Sequence, residues 1–172
     1  SELALKNADF LTKNLLQKDG KLYHSWKNGI RSIDGFLEDY ALFIQALISL
    51  FEITGNQNWI ETVQKVTAYA YNHFYDEDSA LFYFSEKEGN SSIINHYQNE
   101  DNVIPAANSV MANNLYKIYL LLGDPKYLHH TKKMLQCVTG LFPKYPMAFA
   151  NWGNLMMKVS ESSFEVAVAG NN

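Results

Sequence analysis

The stretch Leu50–Phe51–Glu52–Ile53–Thr54–Gly55–Asn56 recurs 68 residues later as Ile118–Tyr119–Leu120–Leu121–Leu122–Gly123–Asp124. Trp59–Ile60 then falls on Tyr127–Leu128, and Val66 on Met134. In each copy an apolar helix stops at a glycine and a second helix starts within a few residues. Glycine tolerates the left-handed conformation that ends a helix. Asn56 and Asp124 are N-cap types, and Pro125 suits a first helical position. So short a link makes an antiparallel helix hairpin, and a period this long is the mark of a helical array.

A second match lies upstream of each hairpin. Leu22–Tyr23–His24–Ser25–Trp26 resembles Leu81–Phe82–Tyr83–Phe84–Ser85. Each aromatic stretch follows a turn, Asp19–Gly20 in one copy and Asp76 to Ser79 in the other. These read as brief extended segments between helices, not as a sheet.

The predicted helices sort into two kinds. Those at 2–18, 57–75 and 126–140 have one apolar stripe: Ala4, Ala8, Leu11 and Leu15 in the first, Trp59, Val63, Val66, Ala70 and Phe74 in the second, Leu128, Leu135 and Val138 in the third. They are surface helices. The helix at 35–53 differs. From Phe36 to Ile53 only Glu38, Asp39, Gln45, Ser49 and Glu52 are polar. At 100° per residue, Glu38, Gln45, Ser49 and Glu52 share one narrow stripe and Asp39 sits off it. The helix at 104–122 repeats the pattern, with Asn113 and Lys117 at the positions of Gln45 and Ser49. A last helix, 146–158, carries Met147, Phe149, Trp152, Leu155 and Met156. Helices apolar on nearly all sides are buried by other helices.

The order is therefore outer, inner, outer, inner, outer, inner. The predicted fold class is all-α: antiparallel helix hairpins of an (α/α)6 toroid, with about three hairpins, half a ring, in residues 1–160. Residues 161–172 form a terminal segment in which Phe164 to Val168 reads as a strand. A lone strand and half a ring lead us to expect a fragment of a longer protein, whose exposed inner helices either self-associate as a homo-oligomer or take their missing half from an upstream region.

Composition narrows the function classes. The chain has 172 residues, 47% of them hydrophobic, enough for a core and too apolar for a disordered segment. A net charge of −4 argues against a nucleic-acid partner. No apolar run reaches the ~18 residues of a membrane span. The single cysteine, Cys137, excludes an internal disulfide and a CxxC pair. Residues 1–13 alternate charge with apolar residues, unlike a signal peptide. The expectation is a soluble, cytoplasmic chain.

His24–Ser25–Trp26, the Leu37–Glu38–Asp39–Tyr40–Ala41 run, Thr54–Gly55, and the stretch Asp101 to Val110 resemble a known family. Together they are similar to the C-terminal, all-helical region of the YyaL-type proteins, bacterial relatives of the spermatogenesis-associated thioredoxin-like protein. The family's last motif, roughly Asp-x-Ala-x-Pro-Ser-x-Asn-Ser, is matched here by Pro105, Asn108 and Ser109, with Ala106 in place of the serine. Its Gly-Gly-Tyr-Phe turn is replaced by Ala80–Leu81–Phe82–Tyr83–Phe84. The resemblance implies a six-hairpin toroid like those of N-acylglucosamine 2-epimerases and six-hairpin glycosidases, joined in the family to an N-terminal thioredoxin-like domain. That domain's redox cysteines have no counterpart in Cys137, so no thiol chemistry is carried over.

The helix order puts His24, Trp26, Glu38, Asp39 and Tyr40 at the N-terminal end of one inner helix, and Asp101, Asn108 and Ser109 at the same end of the next. Free N–H groups there favour anions and hydroxyl oxygens. Asp39, His24 and Asp101 are the catalytic candidates; Trp26, Glu38, Tyr40, Asn108 and Ser109 are the substrate-binding candidates. Paired carboxylates suit glycoside hydrolysis, and a histidine beside an indole suits proton transfer on a sugar. Plain structural roles compete with each: dipole-favoured acids at a helix start, a packed aromatic loop, a cap at Asn108–Ser109. His129–His130 read as surface residues. His73 and His96 have no ligand-spaced partner, so neither a metal nor a cofactor is expected. Two functions stay open. One is a carbohydrate-active toroid, epimerase-like or glycosidase-like. The other is a non-catalytic scaffold that docks a thioredoxin-like domain or another protein.

Overall fold

A computed structural model describes residues 2–87 and 96–161. Its helices are α1 (Glu2–Asn14), α2 (Leu37–Thr54), α3 (Gln57–Phe74), α4 (Ala107–Leu122), α5 (Pro125–Thr139) and α6 (Ala150–Ser160), the last entered through a 3-10 turn at Pro146–Phe149. The short strands are β1 (Tyr23–Lys27), β2 (Ile30–Asp34), β3 (Tyr75–Asp76) and β4 (Leu81–Phe82). The strand expected at 164–168 lies outside the described residues.

Both helix corners form as the repeat requires. Gly55 and Gly123 take φ of 65° and 71°, and their N–H groups donate to Phe51 O and Tyr119 O, each at 2.8 Å. One residue on, Asn56 Oδ1 accepts from Asn58 N–H at 3.1 Å and Asp124 Oδ1 from Lys126 N–H at 3.0 Å. Each pair closes the orphan groups of two helix ends at once.

The inner helices carry the core. Leu37, Tyr40, Ala41, Ile44, Leu47 and Ile48 of α2 are fully buried, as are Met111, Ala112, Leu115 and Ile118 of α4. Each large side chain contributes roughly 1.5–3 kcal/mol by leaving water. α2 packs against α3 on one side and α4 on the other, and α4 against α5 and α6. Asn114, in the α2–α4 seam, donates from Nδ2 to Ala41 O at 2.7 Å. Trp152 and Leu155 bury α6 completely on its core side. The architecture is the all-α hairpin arrangement of an α/α toroid. The polar stripe of α2 is its open side: Gln45 and Glu52 are exposed, and Glu52 meets Lys117 of α4 at 3.3 Å.

Several boundaries differ from expectation. α1 stops at Asn14 because Leu16 leaves it to bridge Leu22. α4 starts at Ala107, not 104: Pro105 restricts Ile104 to extended backbone, and the Asp101 carboxylate takes the Ala106 N–H. Residues 146–149 are 3-10, which leaves Met147 in solvent. The extended segments are also paired, each in a two-stranded antiparallel hairpin, β1 with β2 and β3 with β4. The signal for the first was present in Asn28–Gly29, whose φ values of 52° and 80° are those of a tight hairpin turn. No helix among the described residues is long and apolar enough to cross a membrane.

Candidate functional site

Asp39 is the third residue of α2. Its Oδ2 accepts from Phe36 N–H at 2.8 Å, which satisfies a backbone donor at the start of the helix. The same carboxylate faces His24, whose Nδ1 lies 2.9 Å from Oδ2 and 3.1 Å from Oδ1. His24 comes from β1, and Leu22 fixes the base of that strand. Leu22 N–H donates to the Tyr40 hydroxyl at 2.9 Å, and Leu22 O accepts from Gly35 N–H at 2.8 Å. A side chain at Gly35 would meet Leu22 O at 2.9 Å, so glycine lets the two segments touch. Phe36 lies edge-on to the imidazole, with ring centroids 5.3 Å apart.

His24 and Asp39 open on a cavity of about 300 Å³ with Leu11 and Leu15 of α1, Tyr23, and Leu42, Phe43 and Ala46 of α2. Both side chains keep water access, 40% for His24 and 26% for Asp39. With Nδ1 turned to the carboxylate, Nε2 is the ring nitrogen left for a substrate proton. A carboxylate that orients an imidazole in this way is the usual support for proton transfer.

Glu38 faces elsewhere. It lines a second cavity, of about 420 Å³, with the loop Tyr97–Glu100, with Asn102, Pro105 and Ala106 ahead of α4, and with Phe149. Two adjacent acids lie about 100° apart around a helix, and the cavities divide them. Asn99 stands in the wall of this cavity; its carbonyl accepts from Trp152 Nε1–H at 2.8 Å, while its Oδ1 is buried without a partner.

Asp101 is a half-buried tie. Oδ1 accepts from Ala106 N–H at 2.9 Å and from the Ser109 hydroxyl at 2.7 Å, and Oδ2 from Asn151 N–H at 2.9 Å. One carboxylate thus joins the starts of α4 and α6. Ser109 also receives Asn151 Nδ2–H at 2.9 Å. Asn108, fully buried, exchanges both amide bonds with the Phe82 backbone, at 2.8 and 2.9 Å. Tyr40 is fully buried too, its ring 4.9 Å from that of Phe74, and burial raises its pKa. Trp26 is 38% exposed and packs edge-on to Phe10 of α1 at 5.2 Å.

The chain is similar to several curated proteins. Spermatogenesis-associated protein 20 of Rattus norvegicus is 24% identical over 137 residues, 79% of this chain and 17% of the relative. The Homo sapiens protein of the same name is 23% identical over the same span. A Caenorhabditis elegans protein is 26% identical over 167 residues, 87% of this chain and 22% of that protein. The resemblance read from the motifs holds. The chain spans about a fifth of the length of these relatives. No protein-family model matches it. Among solved structures, the GH76 alpha-mannanase of Bacteroides thetaiotaomicron superposes with a TM-score of 0.56 at 14% identity, covering 70% of this chain and 31% of the enzyme. A family 8 endoglucanase from Klebsiella pneumoniae also gives 0.56, at 10% identity, over 77% of this chain and 38% of the enzyme. At these identities the likeness concerns the α/α-toroid fold.

The predicted constellation is therefore distributed. His24 and Asp39 meet; Glu38 lies in the neighbouring cavity; Asp101, Ser109, Asn108 and Tyr40 hold the framework between helix ends. Tyr23 and, Asp101 apart, the loop Tyr97–Asn102 were not among the sequence candidates. A run of amides and acids just before Pro105 was the signal for that loop. The loop is anchored by the Tyr97 hydroxyl, which donates to Asp76 Oδ2 at 2.6 Å. Hydrogen bonds from Ser79 and Tyr97 hold the Asp76 carboxyl down at about 2. His130 departs from its surface assignment. It is half-buried, 4.8 Å from the Tyr71 ring, and burial lowers its pKa. The described residues include no group of His, Cys, Asp and Glu able to hold a metal. Burial pushes the Cys137 thiol up, which disfavours the reactive thiolate.

Proposed function

We propose that this region forms part of a carbohydrate-active toroid in which His24 and Asp39 make a proton-transfer dyad. The His24–Asp39 contact, opening on a cavity, carries this reading. The fold likeness to an alpha-mannanase and an endoglucanase supports the substrate class. One carboxylate–imidazole pair suits sugar epimerisation or isomerisation better than glycoside hydrolysis, which needs two carboxylates on one bond. Glu38 faces another cavity, and three donors occupy Asp101. In this scheme Nε2 of His24 removes a proton from the carbon beside a sugar carbonyl, and Asp39 stabilises the imidazolium that results. Nε2 then returns that proton, on the same face, to the former carbonyl carbon while the neighbouring hydroxyl proton passes to the carbonyl oxygen, which completes an aldose–ketose isomerisation; inversion would need a second donor on the opposite face. Trp26, exposed on the same strand, offers a stacking face.

Thermal-shift and glycan-array screening of the full-length protein tests the reading. A sugar that raises the melting temperature of the native protein, and not of Asp39→Asn or His24→Ala, supports it. A broad panel with no stabilising sugar overturns it.

A second reading has its own observation. Asp39 caps α2 through Phe36 N–H, and Asp101 bonds two backbone amides. Both are also what a non-catalytic scaffold would use. In that case the region docks a thioredoxin-like domain or another protein, and the missing half of the ring is its first partner.

A further inference from the structure

β2 holds a backbone conformation that its residue type disfavours. Ile33 has φ of 62°, in the left-handed region. For a β-branched side chain that is a genuine outlier, and such strain persists only where the surrounding structure imposes it. Asn28 and Gly29, also of positive φ, sit in the hairpin turn, whereas Ile33 lies inside a strand. The two strands are clamped on either side of it. Gly35 N–H donates to Leu22 O at 2.8 Å, and the Ser25 hydroxyl to Ser32 O at 2.7 Å.

The register gives the outlier a purpose. Tyr23 pairs with Asp34 and Ser25 with Ser32, so Ile33 stands across from His24, yet the ladder has no His24–Ile33 pair. Residues opposite one another in an antiparallel pair project from the same face, with Cβ atoms ~5 Å apart. Here that face is the inner one. His24 meets Asp39 of α2, and Trp26 packs on Phe10 of α1. Arg31, across from Trp26, donates to the Lys13 and Asn14 carbonyls at the end of α1. A regular Ile33 would join them and stand beside the imidazole, where Phe36 and Asp39 already lie. Instead Ile33 is 58% exposed, and His24 keeps 40% of its surface open. A left-handed residue breaks the alternation of a strand and re-aims its side chain.

We propose that Ile33 is a positioning residue for the His24–Asp39 pair: its left-handed backbone keeps the place beside the imidazole clear, so that Nδ1 reaches Asp39 and Nε2 stays open. The proposal rests on the dyad of the preceding section, and its test needs no sugar. Imidazole 15N shifts of the chain, recorded above neutral pH and assigned by their loss in His24→Gln, should show His24 as the Nδ1–H form. Ile33→Asn and Ile33→Gly accept positive φ without strain. Both should keep that form and melt about 2–4 °C above the native chain. Ile33→Pro, whose ring fixes φ at about −65°, should shift His24 to the Nε2–H form. In the native chain the Ile33 methyls should give no Overhauser contact to the His24 ring; such a contact overturns the proposal even if Ile33→Pro does not fold. So does an unchanged His24 form in a folded Ile33→Pro, or a lowered melting temperature in both strain-relieving variants. A native His24 without the Nδ1–H form removes the dyad, and the role of Ile33 with it. A sugar panel without effect, beside the expected 15N shifts, overturns the carbohydrate reading alone.

Discussion

α2 and α4 are two copies of one inner helix, and they differ most on one flank. Val110 of α4 is 2% exposed, whereas its repeat partner Leu42 of α2 is 47% exposed. Asn114 is 1% exposed and bonded to α2, whereas its partner Ala46 is open. α4 has α2 on that flank. Beside α2 the same flank is a groove of about 380 Å³ along α1, lined by Ala8, Leu11, Phe43, Ala46, Leu50 and Ile53. Equivalent apolar sequence is core in one copy and surface in the other. The neighbour decides burial.

The sharpest test exchanges charge into both copies. Val110→Asp should destabilise by about 4 kcal/mol or more, because it buries an unpaired carboxylate. Leu42→Asp in the isolated chain should stay within about 0.5 kcal/mol. Chemical denaturation of both measures the difference, and equal losses would mean that the α2 flank is already covered. The same flank should drive self-association. Light scattering on the purified chain should find oligomers that Leu42→Asp with Ile53→Asp disperses. A monodisperse native monomer that binds no apolar dye would break the comparison.

The N-terminal ends of the two copies differ as well. Asp101→Ala strips an acceptor from three donors and should cost about 3 kcal/mol. Asp39→Ala removes one capping bond and should cost about 1 kcal/mol, together with any sugar-dependent stabilisation. Melting curves of both give the order, and the reverse order would make Asp39 the framework residue. The smallest expected effect concerns the hairpins. Asp76, between α3 and β4, titrates near 2 in the folded chain against an ordinary 3.8. Its folded pKa is depressed, so its stabilisation is full above pH 3.8 and is lost as pH falls toward 2. An acid titration followed by circular dichroism should show a shallower loss across that window for Asp76→Asn than for the native chain.

Local chemistry was legible where the partners are near in sequence. Gly55–Asn56 and Gly123–Asp124 mark their corners within a few residues, so the helix hairpins and their order could be read directly. Asn28–Gly29 is equally local and specifies the β1–β2 turn, whereas the aromatic match marks only one strand of that hairpin. α4 starts later than its periodicity alone predicts because Asp101, five residues before the Ala106 N–H it accepts, moves the start downstream of Pro105.

The candidate site obeyed a different logic. Sequence by itself determined which residues cluster at helix starts, because helix periodicity and capping act over one or two turns. It could not divide Glu38 from Asp39 between two cavities, since that depends on where β1 and the 96–106 loop pack against α2. Nor could it reveal that Asp101 also accepts a donor from α6, 50 residues away, or that His24 turns its Nδ1 to Asp39. Those outcomes were decided by tertiary structure. A carboxylate's role is set by the donors that reach it, and here they arrive from strands and helices that only packing brings together.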